Sequence, residues 1–430
     1  MLNRTGVLAA VLLVALTAAC QSPPATPAGT GALPTGPPGS TSSGSTPTAA
    51  PSSAAATTGT AESNPGGLSD AQTVGQLFMI YVYGSGVNRA TAAQRAANVA
   101  LYGVPTAAEV LRRWHPGGII LIDHNNLDEQ RPELSTGNVG NPAQIAGLTA
   151  GLQKSALADA GIPLLIATDQ EGGRVQRIGA GVTARPAQKV VAQTGSTALT
   201  CSYYRLGRQL RALGVNQDFA PVADVVTTRT GVIGDRSFGP DPALDAADVQ
   251  AAVTGLQEAG ILATLKHWPG HGSTSTDSHA RLAVIRESAA TWRAQDRVPF
   301  ARSAPLAGAI MVGHLAFPDL DPSGAAATFS PKLVGDLLRV QLGFSGLIIT
   351  DSLWMSPARA EGSSAQVALR ALGAGNDILL EPTSLSESIS ALKAVMLTDP
   401  SARAQIQAAA RRVLAAKAKL DRRPVSPPGC

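Results

Sequence analysis

Short apolar runs alternate with longer amphipathic or alanine-rich stretches from about residue 68 onward. Short continuous apolar runs are typical of buried strands, whereas longer stretches with apolar residues three or four positions apart predict helices. The runs predict strands at residues 77–82, 118–122, 164–168, 216–220, 261–265, 309–312, 347–350 and 377–380. The longer stretches predict helices at residues 143–160, 197–213, 246–259, 331–341 and 365–372, with a last helix at 402–420.

Eight apolar strands separated by helices indicate an α/β fold whose parallel strands are covered on their outer face. Eight such repeats in about 350 residues fit a (β/α)8 TIM barrel with some long loops. An open doubly wound sheet is the alternative, but no Gly-x-Gly-x-x-Gly motif follows the first strand. Composition does not shift within residues 68–424, so we interpret them as a single catalytic domain, followed by a C-terminal tail at 425–430.

Residues 1–20 have the pattern of a signal peptide. Arg4 supplies a positive charge, and residues 7–16 form an apolar core too short to span a bilayer comfortably. Small residues then lead directly into Cys20, which resembles the bacterial lipoprotein signal; an ordinary secretory signal is the alternative. We expect Cys20 to be acylated and to anchor the protein to the cell membrane on its extracytoplasmic side.

Residues 21–67 consist mainly of Pro, Ala, Ser, Thr and Gly, and Glu62 is the only charged residue among them. Such a segment cannot bury enough apolar surface to offset its ordering entropy, so we expect a disordered tether. A glycosylated stalk is also compatible with this composition.

The charge distribution argues against nucleic-acid binding, and the cysteine content argues against a disulfide-rich protein. The net charge is only +4, and the basic residues do not form the concentrated stripe that a nucleic-acid-binding surface needs. Apart from Cys20 the chain contains Cys201 and Cys430, which could pair in an oxidising compartment. Two cysteines so far apart in sequence make no disulfide framework, so the sequence leaves their pairing open.

Polar residues cluster where the predicted strands end, which is where a (β/α)8 barrel carries its active site. Residues 169–177 follow the third strand, Asp224 and residues 234–239 follow the fourth, and residues 266–279 follow the fifth. Asp351 comes directly after the seventh strand. There it could serve as a nucleophile at a sugar anomeric carbon, as a general base or as a metal ligand.

Residues 266–279 hold Lys266, Asp277 and three of the six histidines of the chain. Asp277 and His279 are two residues apart, so the carboxylate can orient the imidazole and support its charged form. We expect Gly270 and Gly272 to form a flexible stretch between the strand end and this pair.

A metal site is the competing interpretation of His267, His271 and His279. Pro269 and Gly270 lie between the first two histidines, so these cannot share a regular helix as in the common zinc-protease pattern. We therefore predict no metal. Of the other histidines, His115 is expected to be structural, His124 lies near a strand end where it could line the site, and His314 is expected to belong to the barrel wall.

Four motifs together, at residues 169–177, 234–239, 266–279 and 351–355, resemble glycoside hydrolase family 3 in their order and content. The similarity is to its single-domain bacterial β-N-acetylglucosaminidases (NagZ-like) and covers about residues 68–420. It implies a (β/α)8 barrel that cleaves terminal β-linked N-acetylglucosamine with retention and needs no cofactor. Ser273 and Trp268 depart from the usual family pattern, but neither departure removes a catalytic group.

The same resemblance implies a role for each matching residue. Asp351 corresponds to the nucleophile, and His279 to the general acid and base, with Asp277 as its partner in a dyad. The residues that correspond to sugar-binding positions of the −1 subsite are Asp169, Arg177, Arg236, Lys266 and His267.

The sequence therefore predicts a monomeric, membrane-anchored exo-β-N-acetylglucosaminidase that acts on peptidoglycan fragments (muropeptides) or related glycosides. A β-glucosidase or an N-acetylglucosaminide phosphorylase on the same scaffold is the runner-up. A non-catalytic lipoprotein that binds wall sugars is disfavoured, because Asp351, Asp277 and His279 are all present.

Replacing the acylation site tests the anchor. In Cys20→Ala the protein should lose metabolic labelling with a fatty acid and leave the membrane fraction, because it has no thiol to acylate there. Cys430→Ala is the matched control and should keep both label and membrane attachment. Lipid labelling that persists in Cys20→Ala would contradict the prediction.

Overall fold

The computed structural model describes residues 63–228, 230–420 and 423–430. The predicted signal peptide, the acylation site at Cys20 and residues 21–62 of the predicted tether lie outside the described residues.

Eight parallel strands form one sheet in the order β7-β6-β5-β4-β3-β2-β1-β8. A parallel bridge between Ile349 and Ile378 and a hydrogen bond from the Leu353 amide to the Leu380 carbonyl (2.9 Å) join its two edges. This closure confirms the predicted (β/α)8 barrel and excludes the open doubly wound sheet. The strands are β1 (Phe78–Ile80), β2 (Gly118–Ile120), β3 (Leu165–Thr168), β4 (Gln217–Asp218), β5 (Leu262–Trp268), β6 (Ala309–Val312), β7 (Leu347–Thr350) and β8 (Leu379–Leu380).

All eight predicted strands are present, but β5 extends further than its apolar pattern indicates. The prediction ended at residue 265, whereas the ladder with β6 continues until Trp268 pairs with Val312. The two charged or polar residues expected after the strand, Lys266 and His267, are therefore part of it. Backbone pairing with a neighbouring strand continued β5, and the hydrophobic pattern does not report such pairing.

The helices lie between the strands, as predicted. Three long ones begin at an Asx-Pro pair, in which Asn141, Asp241 or Asp399 caps the first turn and proline occupies the first helical position. The segment Lys332–Gln341 is wound as a π-helix. The other helices are Asp70–Gly75, Ala92–Tyr102, Ala107–Trp114, Pro142–Ala160, Gln188–Val191, Ser196–Ala212, Pro242–Glu258, Ala289–Ala294, Arg297–Ser303, Ser356–Arg359, Ser364–Ala374, Leu385–Thr398 and Pro400–Lys417.

Alternate strand residues divide between two apolar cores. Phe78 and Ile348 point outward and pack in the layer between strands and helices. Met79 and Ile349, one residue further along, belong to the cluster that fills the barrel interior. The period of two along each strand places successive side chains on opposite faces, so a strand that is apolar throughout can supply both cores.

The two ends of the described chain are attached to the barrel. Near the first described residue, the Asn64 side chain accepts a hydrogen bond from the Gln407 side-chain amide (2.9 Å). The predicted C-terminal tail is held by a hydrogen bond from the Val425 amide to the Glu258 carbonyl (2.8 Å) and by a disulfide between Cys201 and Cys430. The structure thus answers the question of cysteine pairing that the sequence left open.

Within the described residues, none of the helices combines the length and the apolar character needed to cross a membrane.

Candidate active site

A cavity of about 310 Å³ opens at the carboxyl ends of the barrel strands. Seven of the eight side chains predicted for catalysis or sugar binding line it, and the eighth, Asp277, bonds to one of them. The seven are Asp169, Arg177, Arg236, Lys266, His267, His279 and Asp351. A larger cavity, about 580 Å³, lies near the amino ends of β5, β6 and β7 and contains none of them. Barrel enzymes carry their chemistry at the carboxyl ends, so the smaller cavity is the candidate active site.

Glu171 organises the cationic wall of this cavity. Its two oxygens accept hydrogen bonds from Nε and Nη2 of Arg236 at 2.7 and 2.8 Å, in a bidentate pair. The Lys266 Nζ lies 2.7 Å from Glu171 Oε1 and donates to Asp169 Oδ1 at 2.6 Å. Burial alone would raise the pKa of Glu171, but the charges of Lys266 and Arg236 outweigh it and hold that pKa far below its ordinary value.

The same network keeps Lys266 charged. Burial favours the neutral amine, but the carboxylates of Asp169 and Glu171 overcome that effect and raise the pKa of Lys266. The wall therefore presents an ammonium and a partly exposed carboxylate, Asp169, side by side. Such a pair can donate to one sugar hydroxyl and accept from its neighbour.

Asp224 orients His267. Its Oδ1 accepts the backbone amides of His267 (3.0 Å) and His271 (2.8 Å), and its Oδ2 lies 2.7 Å from His267 Nδ1. Burial raises the pKa of Asp224, but the His267 imidazole more than compensates, and the net pKa is lowered. An ionised carboxylate at Nδ1 keeps the proton on that nitrogen and leaves Nε2 for the ligand.

Lys266 and His267 are consecutive, yet both line the cavity. In a regular strand one of them would point into the outer layer. The register between β5 and β6 shifts between Leu265 and Trp268, so the regular alternation of side chains is interrupted at these two residues.

Asp351 lies at the end of β7, two strands away from β5 in the sheet. Its backbone amide donates to the Val312 carbonyl (2.9 Å), and its Oδ1 accepts the Ser352 amide (2.8 Å). Burial acts to raise the pKa of Asp351, but the nearby imidazoles of His267 and others outweigh it and lower the pKa. The group is thus an ionised carboxylate that two backbone contacts hold in place.

His314 supports this wall, as predicted. Its Nδ1 lies 2.8 Å from Thr328 Oγ1, and its Nε2 lies 2.9 Å from the Ser352 carbonyl. Burial lowers the pKa of His314, so the ring is neutral and both nitrogens are engaged.

Asp277 and His279 form a pair on the rim. Asp277 Oδ1 accepts the His279 backbone amide (2.9 Å) and lies 2.6 Å from His279 Nδ1. Burial raises the pKa of Asp277, but its contacts with His279 outweigh this and lower it. Both side chains are about half exposed, at 52% and 49%, in contrast to the buried cationic wall.

The structure corrects the interpretation of Gly270 and Gly272 as a flexible stretch. A Cβ on Gly272 would clash with the Val225 carbonyl, and one on Gly270 would lie 2.6 Å from Asp296 Oδ2. These glycines are therefore required by close packing. The intervening His271 is buried, and its Nε2 lies 2.9 Å from Ser278 Oγ.

The histidines of this loop have separate partners. His267 contacts Asp224, His271 contacts Ser278, and His279 contacts Asp277. Across the described ranges, no group of three or more His, Cys, Asp or Glu side chains is arranged to hold a metal ion.

The two remaining histidines lie in different places. His115 contacts Asp159 (2.5 Å) outside the candidate site. His124 lines the cavity beside Asp123 (2.9 Å).

Neither of the two residues that depart from the family pattern, Trp268 and Ser273, lines the cavity. Trp268 is buried, packs edge-on against Trp292 and Phe300, and donates to the Leu333 carbonyl (3.0 Å).

Three acidic residues of the site were not assigned individual roles from the sequence. Glu171 and Asp224 follow predicted strands, but the sequence does not reveal that they bind Lys266, Arg236 and His267. The third, Glu381, lines the cavity directly after β8. Its position as the first polar residue after the eighth apolar run was the available signal.

Comparison with known proteins matches residues 72–416 to the glycosyl hydrolase family 3 N-terminal domain. The chain is 37% identical over 302 residues to a β-hexosaminidase from Nitrosomonas eutropha, covering 67% of this chain and 81% of that protein. The fold is similar to a β-N-acetylhexosaminidase from Beutenbergia cavernae, with a TM-score of 0.69 and 30% identity over 82% of this chain and 99% of that one.

A family 3 β-N-acetylglucosaminidase from Paenibacillus sp. is also similar, with a TM-score of 0.72 and 32% identity. The match covers 82% of this chain but only 63% of that protein, so this chain spans less than two thirds of it.

Removing the Glu171 carboxylate should destabilise the protein, because two buried cations share it. In Glu171→Ala, Lys266 and Arg236 lose their common partner, and we expect the free energy of unfolding to fall by about 3–5 kcal/mol in chemical denaturation. Glu129→Ala is the control, because its exposed pair with Arg359 (2.9 Å) should contribute at most about 1 kcal/mol. Equal small losses in both variants would contradict the role given to Glu171.

Proposed function

The chain belongs to glycosyl hydrolase family 3, and on that basis we propose that it is a retaining exo-β-N-acetylglucosaminidase. The observation that carries this proposal is that one cavity contains two groups suited to the two roles. Asp351 is an ionised carboxylate at the end of β7, and His279 is an imidazole on the rim that is paired with Asp277.

In the first step, a carboxylate oxygen of Asp351 attacks the anomeric carbon while the bond from that carbon to the glycosidic oxygen breaks. His279 gives its proton to the departing oxygen, so the aglycone leaves as a neutral alcohol. Asp277, 2.6 Å from His279 Nδ1, stabilises the protonated ring before this transfer. The product is a glycosyl ester on Asp351.

In the second step, the neutral His279 takes a proton from water as the water oxygen attacks the anomeric carbon. The ester bond breaks and Asp351 is again a carboxylate. Two displacements on opposite faces of the sugar give net retention of the anomeric configuration.

The cationic wall binds the sugar in this scheme. Asp169, Lys266 and His267 contact hydroxyl groups directly, and Arg177 adds a positive charge at the edge of the cavity. Arg236 uses two of its donor atoms for Glu171, so it contributes mainly by fixing the wall. Hydrogen bonds to the hydroxyls can strengthen as the oxocarbenium-like transition state develops, and in that way they lower the barrier.

We propose exo action on a terminal residue because a cavity of about 310 Å³ is on the scale of a single sugar unit. The proposed substrates are peptidoglycan fragments and related glycosides. The proposed location, outside the cytoplasmic membrane on an acylated Cys20, rests on the sequence pattern of residues 1–20.

Substrate preference and the nucleophile can be tested together. The wild-type protein should cleave an aryl β-N-acetylglucosaminide faster than the matching aryl β-glucoside, at a rate independent of added phosphate. Asp351→Ala should lower kcat by about 10⁴-fold or more, because no covalent intermediate can form. A slow 2-deoxy-2-fluoro or 5-fluoro glycoside should label Asp351, which peptide mass spectrometry can locate.

Each alternative gives a different result in the same assay. A faster aryl β-glucoside reaction would replace the proposed specificity with that of a β-glucosidase. Formation of a sugar 1-phosphate would identify a phosphorylase. Near-normal activity in Asp351→Ala would overturn the mechanism, and binding without turnover in the wild type would indicate a carbohydrate-binding protein.

The role of His279 predicts a dependence on the leaving group. His279→Ala should slow cleavage of substrates with poor leaving groups by about 10²–10⁴-fold but spare dinitrophenyl glycosides, which need little protonation. His124→Ala is the matched comparison, because His124 is also a partly exposed histidine beside an aspartate in the same cavity. A leaving-group effect of equal size in both variants would contradict the assignment.

A further inference from the structure

Glu381 is the first residue after β8 and lines the proposed sugar cavity together with Asp351 and Asp169. Its backbone amide donates to the Met79 carbonyl (2.8 Å), so the main chain at this point is anchored to β1. The proposed mechanism assigns no role to the Glu381 carboxyl group.

The Glu381 side chain is 6% exposed, and its Oε1 has no hydrogen-bond partner. A buried polar atom without a hydrogen-bond partner is destabilising. Because this side chain borders the cavity, a bound ligand can supply the missing partner.

The backbone of Glu381 is also unusual. Its φ angle is 50°, in the left-handed region that residues with a Cβ rarely adopt. Such a conformation is strained and is found preferentially at functional sites. The Glu381 side chain lines the cavity at the barrel mouth.

The charges around Glu381 restrict what it can bind. Burial raises the pKa of Glu381 to about 7 against the effect of a hydrogen bond with Ser352. The neighbouring carboxylates Asp169 and Asp351 also raise this pKa, whereas the charge of Arg177 lowers it. Below neutral pH the group is therefore a carboxylic acid that can donate a hydrogen bond. It differs in this respect from Asp351, which is ionised.

The position of Asp351 indicates which part of the sugar lies nearby. Its carboxylate must reach the anomeric carbon, C1. The two ring neighbours of C1 are the ring oxygen and C2, and only C2 carries a polar substituent. In an N-acetylglucosamine residue this substituent is the acetamido group, whose carbonyl oxygen accepts hydrogen bonds.

We propose that Glu381 is a specificity-determining residue that donates a hydrogen bond to the 2-acetamido group of the bound sugar. This inference rests on the proposed function and deepens it, because it assigns the preference for an N-acetylated sugar to one side chain. A 2-hydroxyl group is too short to make the same contact from the same ring position, and a site whose polar group is left unpaired discriminates strongly.

The test compares Glu381→Leu and Glu381→Gln with the wild type on an aryl β-N-acetylglucosaminide and the matching aryl β-glucoside. Glu381→Leu should lower kcat/KM for the acetamido substrate by roughly 10- to 100-fold and change that for the glucoside by less than about threefold. Glu381→Gln retains a hydrogen-bond donor and should preserve most of the preference.

The pH dependence separates this role from a structural one. The donor form of Glu381 exists below its pKa of about 7 and is lost above it. The wild-type preference for the acetamido substrate should therefore decline as pH rises through about 7, and Glu381→Gln should lack that decline. Thermal unfolding of each variant checks that the barrel is intact.

Tyr81→Phe serves as the matched comparison, because the Tyr81 hydroxyl is a second buried group without a partner and interacts with Glu381 electrostatically. It should leave the ratio of the two substrates unchanged. Equal losses on both substrates in Glu381→Leu, or the same loss of preference in Tyr81→Phe, would overturn the inference. In the wild type, the ratio of kcat/KM for the acetamido substrate to kcat/KM for the glucoside tests the proposed function. The change of that ratio in Glu381→Leu relative to the wild type tests the role of Glu381.

Discussion

Glu171 holds two buried cations in place, and the geometry of one whole wall of the cavity depends on that contact. Lys266 and Arg236 come from different parts of the chain, and both donate to the same carboxylate. Without it, Arg236 would lose its bidentate partner and Lys266 would keep only Asp169, and buried charge without full compensation is strongly disfavoured. With it, Lys266 is fixed beside Asp169 as a rigid donor and acceptor pair. Such pre-organisation means that the wall needs little rearrangement when a polar ligand binds.

The surroundings of Asp351 differ from those of the cationic wall. Asp351 has no lysine or arginine partner among the described residues; its charge is supported by imidazoles and by the Ser352 amide. A carboxylate tied to a strong cation would be a poor nucleophile, whereas one stabilised by weaker contacts remains reactive. The rim pair of Asp277 and His279 is about half exposed. The cavity thus combines a hydrogen-bonded cationic wall, a buried carboxylate and a half-exposed pair of carboxylate and imidazole.

Much of this arrangement could be predicted from the sequence because parallel strands of a closed barrel all end at one rim. Once eight apolar runs are recognised, the residues that follow them must converge, and seven of the predicted side chains do line one cavity. The failures have causes in the tertiary structure. β5 continued through polar residues because β6 supplied backbone partners. Gly270 and Gly272 are needed for close packing against Val225 and Asp296, which no local pattern reveals.

The sequence by itself determined the strand and helix order, the place of Asp351 after β7 and the adjacency of Asp277 and His279. These are local properties, set by hydrophobic period and by spacing along the chain. Tertiary structure alone decided that Glu171 binds two cations, that Asp224 orients His267, that Cys201 pairs with Cys430 and that Glu381 is buried beside Asp351. The partners in each case are far apart in the chain. Their distances and burial follow from how the barrel closes, and burial in turn sets which carboxyl groups are ionised.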